Sequence, residues 1–345
     1  MKILIVLQPN PNGVQHHRML VPSVMLANTD GVVVRHVADL NNCPELLAHW
    51  ADVIVLSRLM TEFPQNHRLI IENLKNVKAK LVVDIDDHWI LPKGHPNEAV
   101  WKQSRTAQCI NETIQLADAV WTTTPSLKTI IGNITRVPVH IVKNGINPVY
   151  DIQWNDTEAK LPHSELMIGF SAAPNHYPDL IRLREPLAAL GKQRGWRLVA
   201  MGANPNDHQH IINLLGCNRI LFEAALPATN YASMYRGVDL MLAPLAHTAF
   251  NRHRSDLKLA EAAFSNTPIL CENYGPYKGH QCVVKTWDTL ADVVIGHLTT
   301  QPAILNNYRV TDKENHGTTE PDRIRLETLR RLVVPEMEVV KTIER

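Results

Sequence analysis

Between Phe250 and Tyr277 the chain reads FNRHRSDLKLAEAAFSNTPILCENYGPY, and its polar residues are spaced for phosphate chemistry. Arg252, Arg254 and Lys258 stand beside the start of an apolar helical run, where free backbone N–H groups already favour an anion. Ser255 or Asp256 is expected to cap that helix. Glu261 follows Lys258 one turn along the same face. Cations at a helix start suit a diphosphate, and a carboxylate one turn deeper suits a ribose diol. The combination points to a nucleotide-sugar site. Arg254, Ser255, Lys258 and Glu261 are its donor-binding candidates, and Arg254 and Lys258 are also placed to stabilise the charge of a leaving diphosphate. Plainer readings exist for each residue: solvated cations at a helix start, and an exposed carboxylate on a helix face.

Three further clusters follow predicted strands. Gly13, in PNPNGVQHHR, would let backbone approach a sugar phosphate, or would be a simple strand-to-helix turn. His16, His17 and Arg18 come next, at the expected helix start, and are candidates for acceptor contact. In DIDDH, Asp84 and Asp86 alternate onto one face and Ile85 and Asp87 onto the other. Asp87 is the choice for the acceptor hydroxyl, with His88 as its alternate and Asp86 as an acceptor-binding residue; the competing reading is loop caps at a strand end. In GFSAAPNHYPD, Ser171, His176 and Asp179 mark a phosphate and sugar contact, or a helix cap by Asn175 or Asp179. Arg182 and Arg184 fall inside the following helix and make a weaker phosphate pair.

Stepping outward from these residues, the elements that must hold them form an alternation. Short apolar runs at 3–7, 32–37, 53–56, 81–85, 119–122 and 139–142 are separated by helical patterns. Runs this apolar are buried on both faces, as in a parallel sheet covered by helices. The pattern lapses in a polar stretch with two prolines, then restarts at 167–170, 197–201, 220–222, 239–243, 268–271 and 281–284. The fold class is therefore α/β, with two doubly wound Rossmann-like domains facing across a cleft. The expected division is 1–150 for a first domain, 151–165 for a linker, 166–310 for a second domain and 311–345 for a terminal helical segment. A helix is expected over 66–78, a loop over 311–321 and a helix over 323–341, interrupted near Pro335.

Composition excludes more than it assigns. The 345 residues suit two domains, and 45% hydrophobic content fills two cores. A formal net charge of +1 gives no global attraction to nucleic acid or anionic lipid. The 17 histidines include no pair with metal-ligand spacing, so no metal site is expected. The five cysteines are scattered without a CxxC, which fits a reducing, cytoplasmic setting. MKILIVLQPNPNG breaks at Pro9 and reads as a strand rather than a leader, and no window approaches a membrane span. No GxSxG elbow supports a serine hydrolase, and no GxGxxG supports a dehydrogenase.

Ser255-Asp256-Leu257-Lys258 through Glu261-Ala262-Ala263, then Pro268 and Tyr274-Gly275-Pro276-Tyr277, resemble the donor signature of retaining group 1 (family four-like) glycosyltransferases of the two-Rossmann, GT-B type. YASMYRGVDLMLAP looks like that family's helix and strand before the donor loop, and Asn144-Gly145-Ile146 looks like its turn near the hinge. The likeness covers most of 165–277 and describes a divergent, short member. It implies a glycosyltransferase working with retention and without a metal or cofactor, taking a nucleotide-sugar donor, a UDP-sugar being favoured. It also implies that Glu261 contacts the ribose, that the first domain is the acceptor domain and the second the donor domain, and that the terminal segment crosses back to the first. The family's first glutamate, eight residues earlier, is replaced by His253. The acceptor is left open among a glycan, a small molecule and hydroxymethylated bases in DNA. The last, as in phage enzymes acting in the host cytoplasm, would use a basic wall from His16, His17, Arg18, Lys93, Lys102 and Arg105. A non-catalytic nucleotide-sugar binder or partner subunit is the alternative from another class.

Overall fold

The computed structural model describes residues 1–7, 12–38, 40, 49–59, 66–74, 77–154, 163–191, 193–284 and 287–333. Much of the expected linker, residues 8–11 of the first loop and everything beyond 333 lie outside these. The fold is α/β and contains two separate six-stranded sheets, every strand pair parallel. The chain divides into two compact units: the described residues of 1–86, 101–143 and 319–345, and those of 87–100 and 144–318.

In the first unit the strands are β1 (Lys2–Val6), β2 (Val33–Val37), β3 (Val53–Ser57), β4 (Lys80–Ile85), β5 (Ala119–Thr122) and β6 (Val139–Ile141), in the order β2-β1-β3-β4-β5-β6. The centre of this sheet is buried because the strands are apolar on both faces: Ile3, Leu4, Val53, Leu56, Val82 and Val83 are all fully enclosed. The helix Thr319–Val333 belongs to this unit, where Leu329 joins the core of Ile3, Ile5, Val53 and Val55. The segment expected as a loop over 311–321 instead holds a short helix, Lys313–His316, and the first turn of Thr319–Val333. Pro321 is no obstacle there, since a proline in the first helical turn gives up an N–H that has no partner anyway.

Between β1 and β2 the helix widens into a π-turn over His16–Leu20 before continuing as Val21–Ala27. Pro22 explains the widening. It has no N–H for the carbonyl of Arg18, and its ring would clash with that carbonyl in a regular α-helix.

The second unit carries β7 (Leu166–Ser171), β8 (Trp196–Met201), β9 (Ile220–Glu223), β10 (Leu240–Ala243), β11 (Ile269–Glu272) and β12 (Val283–Val284). Read from one edge, their order is β9-β8-β7-β10-β11-β12. The chain builds outward from β7 and then returns to lay β10 on its other side. Alternation along each strand feeds two cores. Ile168, Phe170, Leu198, Leu240 and Leu242 enter one, while Met167, Val199, Met241, Ala243 and Ile269 enter the other. Each of the twelve apolar runs singled out in the sequence falls on a strand, although 281–284 is a strand only at Val283–Val284, and the edge strands Val33–Val37 and Ile220–Glu223 are partly exposed rather than buried on both faces.

Candidate functional site

In doubly wound sheets the ligand site lies beyond the carboxyl ends of the strands, where the strand order reverses. In the second unit that point is between β7 and β10. β7 ends on Ser171, whose Oγ is buried and makes no hydrogen bond of ordinary geometry among the described residues. The segment after β7 carries His176, at the end of a 3-10 turn, and Asp179, in the short helix Tyr177–Leu180; the segment after β10 carries Ala246, Asn251, in the short helix Ala249–Arg252, and Arg254. Asp179 joins the two loops. It is 2% exposed, and its Oδ1 accepts from the backbone N–H of Ala246 at 2.8 Å and from Asn251 Nδ2 at 2.7 Å. Burial opposes its charge, but the contact with His176 and the Ala246 N–H outweigh burial and hold the carboxyl below its ordinary range.

On this scaffold sits the cationic group. Arg254 Nη1 stands 3.4 Å from His176 Nδ1 and 3.7 Å from Asp179 Oδ2, and the guanidinium lies over the Phe250 ring. His176 is held neutral: burial, then the cations Lys258 and Arg254, push its pKa down to about 3. The helix Leu257–Phe264 begins with Asp256 at its N-cap, but no side chain caps it. The expected cap by Ser255 or Asp256 is thus corrected: Ser255 Oγ accepts instead from Asn144 Nδ2 at 2.7 Å. One turn in, Lys258 makes no hydrogen bond or ion pair among the described residues. Its ammonium is pushed down to about 8, first by burial and then by Arg254, with Glu261, Asp179 and Asp87 acting in the opposite direction.

Glu261 is not the exposed helix-face carboxylate of the plainer reading. It is only 5% exposed, and Oε2 accepts from Tyr235 Oη at 2.6 Å. Burial raises its pKa to about 7 against the opposing effects of Tyr235 and Lys258. Tyr231 and Tyr235 are one helical turn apart, with ring centroids 6.0 Å apart. Neither tyrosine, nor Asn251, was singled out from the sequence. The spacing of four in YASMYR was the visible signal for the tyrosine pair, while Asn251 matters through a contact with Asp179, 72 residues earlier.

The boundary between the units falls between Asp86 and Asp87, so DIDDH is shared by both. Asp87 and His88 belong to the unit of Lys258 and Arg254. His88 packs beside His253, with centroids 5.2 Å apart. His95, from the same segment, packs on Phe250. Burial lowers the pKa of His88, His95 and His253 alike.

The first unit disposes of several candidates differently. Arg18 is 2% exposed and turned inward, donating from Nε to Asp84 Oδ2 at 2.6 Å and from Nη1 to the carbonyl of Val142 at 2.8 Å. Such a fully engaged buried guanidinium has no face left for an acceptor or for a DNA-binding wall, which corrects both roles. Asp86 is likewise occupied by Arg58, whose Nε donates to Oδ1 at 2.5 Å. His16 and His17 are buried in the π-turn at 4% and 5% exposure rather than displayed at a helix start. Gly13 opens the preceding short helix behind the Asn12 cap, its φ is not positive, and a Cβ there would meet nothing within 4 Å. In the second unit Arg182 pairs with Glu272 at 2.9 Å, leaving it outside the phosphate group.

No protein-family model matches the chain, and no curated protein sequence matches it. Solved structures do. The sucrose-phosphate synthase of Thermosynechococcus elongatus is similar over 96% of this chain and 98% of its own, at 12% identity and a TM-score of 0.66. A glycosyltransferase from Rickettsia africae ESF-5 is similar over 97% and 99%, at 15% identity and a TM-score of 0.61. The UDP-GlcNAc 2-epimerase of Neisseria meningitidis, bound to UDP-GlcNAc, is similar over 96% and 100%, at 12% identity and a TM-score of 0.56. No helix among the described residues is long and apolar enough to cross a membrane. The chain thus has the GT-B, glycosyltransferase-like fold of two Rossmann-like units, which glycosyltransferase and epimerase structures share.

Proposed function

We propose that this protein is a glycosyltransferase that binds a nucleotide-sugar in its second unit and moves the sugar to an acceptor hydroxyl. One observation carries the reading: Lys258, a half-buried cation with no anionic or hydrogen-bonding partner among the described residues, stands with Arg254 at an uncapped helix start beside the β7–β10 reversal. A diphosphate supplies the charge that this group lacks. Glu261, held by Tyr235 one turn deeper, receives the ribose hydroxyls, and Ser171 and His176 face the phosphates and sugar. A UDP-sugar is the favoured donor, in keeping with the UDP-GlcNAc of the Neisseria epimerase.

In the reaction the anomeric C–O bond to the diphosphate breaks and its electron pair leaves with the phosphate oxygen. Arg254, Lys258 and the helix N–H groups stabilise that charge as it grows. The acceptor oxygen then bonds to the anomeric carbon on the face the phosphate leaves, giving retention, and its proton passes to the departing diphosphate. Asp87, with His88 beside it, orients the acceptor hydroxyl. The scheme uses no metal.

The test is a thermal-shift panel of UDP-, GDP-, ADP-, CMP- and TDP-sugars on wild type and Lys258→Ala. A UDP-sugar is expected to raise the melting temperature of the wild type and not of the variant. No shift with any nucleotide at millimolar concentration would sink the reading. The epimerase likeness favours a second reading, a UDP-sugar 2-epimerase. Inversion at C2 of UDP-GlcNAc without acceptor, followed by NMR, would select it over transfer.

A further inference from the structure

One contact beside the donor site has no part in the scheme above. The Asn144 amide donates from Nδ2 to Ser255 Oγ at 2.7 Å, across 111 residues of sequence. Asn144 is 7% exposed and stands where the chain enters the second unit. The residues that follow it fix its backbone. Ile146 donates its N–H to the carbonyl of His316 at 3.0 Å and pairs with Gly317 as an isolated parallel bridge. Gly145 comes so close to that segment that a Cβ would lie 2.7 Å from the Gly317 carbonyl oxygen. A residue without a side chain is needed for this approach, so Asn144-Gly145-Ile146 is a rigid mount for the Asn144 amide.

Ser255 is the residue that this mount acts on. It stands three residues before Lys258, the spacing at which a serine caps a helix by accepting a backbone N–H. Its Oγ takes the Asn144 amide instead, and the N–H groups of Leu257 and Lys258 have no hydrogen-bond partner among the described residues. Asp256 does not fill the role. Its backbone, at φ −90° and ψ 23°, is not the extended conformation from which a capping side chain reaches the first N–H groups. An uncapped start costs the free protein stability, and capping serines are common because they remove that cost. The same β7–β10 reversal holds a second unsatisfied group. Ser171 is 9% exposed, and its Oγ makes no hydrogen bond of ordinary geometry among the described residues. Two kinds of polar group are thus left open at one place, and one of them is open because Asn144 has drawn its natural cap away.

We propose that Asn144 is a positioning residue for the nucleotide-sugar: by holding Ser255 it keeps that serine from capping the helix Leu257–Phe264, and so keeps the Leu257 and Lys258 N–H groups open for the diphosphate. The inference rests on the donor site proposed above and adds to it a residue that acts through another. Without the Asn144 amide, Ser255 Oγ turns to the Lys258 N–H, and a diphosphate must displace it in order to bind.

Two readouts on wild type, Asn144→Ala and Asn144→Ala/Ser255→Ala test it: calorimetric titration with UDP, GDP, ADP and TDP, and exchange of the Lys258 amide proton in the free protein, followed by NMR. Asn144→Ala is expected to bind the diphosphate about fivefold more weakly, the worth of one capping bond, and to exchange the Lys258 amide more slowly. The double variant has no serine to form the cap, and is expected to regain most of the affinity and the faster exchange. A purely structural role for Asn144 predicts the reverse, because a second substitution would add to the damage rather than undo it. Asn144→Ser, too short to reach Ser255 but still polar, takes the place of the alanine variant if that one is poorly folded. The inference is overturned, with the donor site intact, if wild type binds a diphosphate and the single variant binds it equally well, if the Lys258 amide of the single variant does not slow, or if the double variant binds no better than the single. If wild type binds none of the four at millimolar concentration, the donor site falls and the inference falls with it.

Discussion

Lys258 and Glu261 are one turn apart and are both held away from their ordinary protonation ranges by burial, in opposite directions. For Lys258 this means that a bound diphosphate, by favouring the ammonium, must draw a proton onto it once the free protein has lost one. Nucleoside diphosphate affinity is therefore expected to be flat below about pH 8 and to fall above it, by at most about tenfold per pH unit. Lys258→Ala should lose about 10- to 100-fold in affinity at neutral pH, the worth of one charge-assisted hydrogen bond, and should lose that pH dependence with it. Titration calorimetry across the range reads both. A variant that kept the wild-type slope would assign the proton to another group. Glu261 carries the converse sign. Its carboxyl titrates near 7 in the folded protein, above the range of an unfolded chain, so ionising it costs stability that is intact below about pH 4.5 and lost progressively up to about pH 7. Glu261→Gln keeps an acceptor for the Tyr235 hydroxyl and never ionises. It is expected to be more stable than wild type above pH 7, by up to about 3 kcal/mol, with no advantage at pH 4, while binding nucleotide more weakly. Chemical denaturation at the two pH values checks the stability; equal advantage at both would place the effect in packing rather than charge.

Among the elements, the loop after β10 has the most demanding local geometry, because three segments converge on it. Asp179 holds it from one side, and the Tyr274 hydroxyl bonds the carbonyl of Thr248 at 2.9 Å from another. Gly275 approaches so closely that a Cβ there would lie 2.6 Å from the carbonyl oxygen of Asn251, and its φ is +56°. Gly279 also has a positive φ, +88°, but a Cβ there would meet nothing within 4 Å. Gly279→Ala should therefore cost only backbone strain, about 1–2 kcal/mol, with nucleotide affinity intact. Gly275→Ala should cost more and should also weaken nucleotide binding, because the backbone that must yield leads directly to Arg254. Melting temperature and affinity measured side by side separate the two; equal behaviour of the variants would mean that the loop tolerates displacement. Elements of this kind were largely legible in the sequence, since a doubly buried strand is written as an unbroken apolar run. Their polar carboxyl ends were not. β7 runs on to Ser171 and β11 to Glu272, where the ladder continues but the hydrophobic signal has stopped. Those ends are where the site lies. Partners distant in sequence were invisible for a related reason: nothing in HHRM announces that Arg18 turns inward to Asp84, 66 residues on, so a buried ion pair read as an exposed cationic cluster.

Each unit of the molecule has its own sheet and core, but neither is a continuous stretch of chain. The first takes its last element from the far end of the sequence: Thr319–Val333 lays Leu329 against β1 and β3, with Ile324, Leu326 and Leu332 packed around the same cluster. It also buries Arg325, whose Nη1 donates to Asp322 Oδ1 at 2.7 Å. Apolar burial of this kind is not a local matter. Removing methyl groups from a fully enclosed leucine costs about 2–5 kcal/mol, and in a molecule with two cores that cost falls on the unit that contains the cavity. Leu329→Ala is therefore expected to destabilise the first unit selectively, although the substitution lies in the last helix of the described chain. Hydrogen exchange should quicken in β1, β3 and β4 and stay unchanged in β7, β8 and β10, and nucleotide should still protect the second unit. Uniform acceleration across all twelve strands would mean that the units unfold as one cooperative body, in which case the terminal helix stabilises the whole protein rather than the sheet it covers.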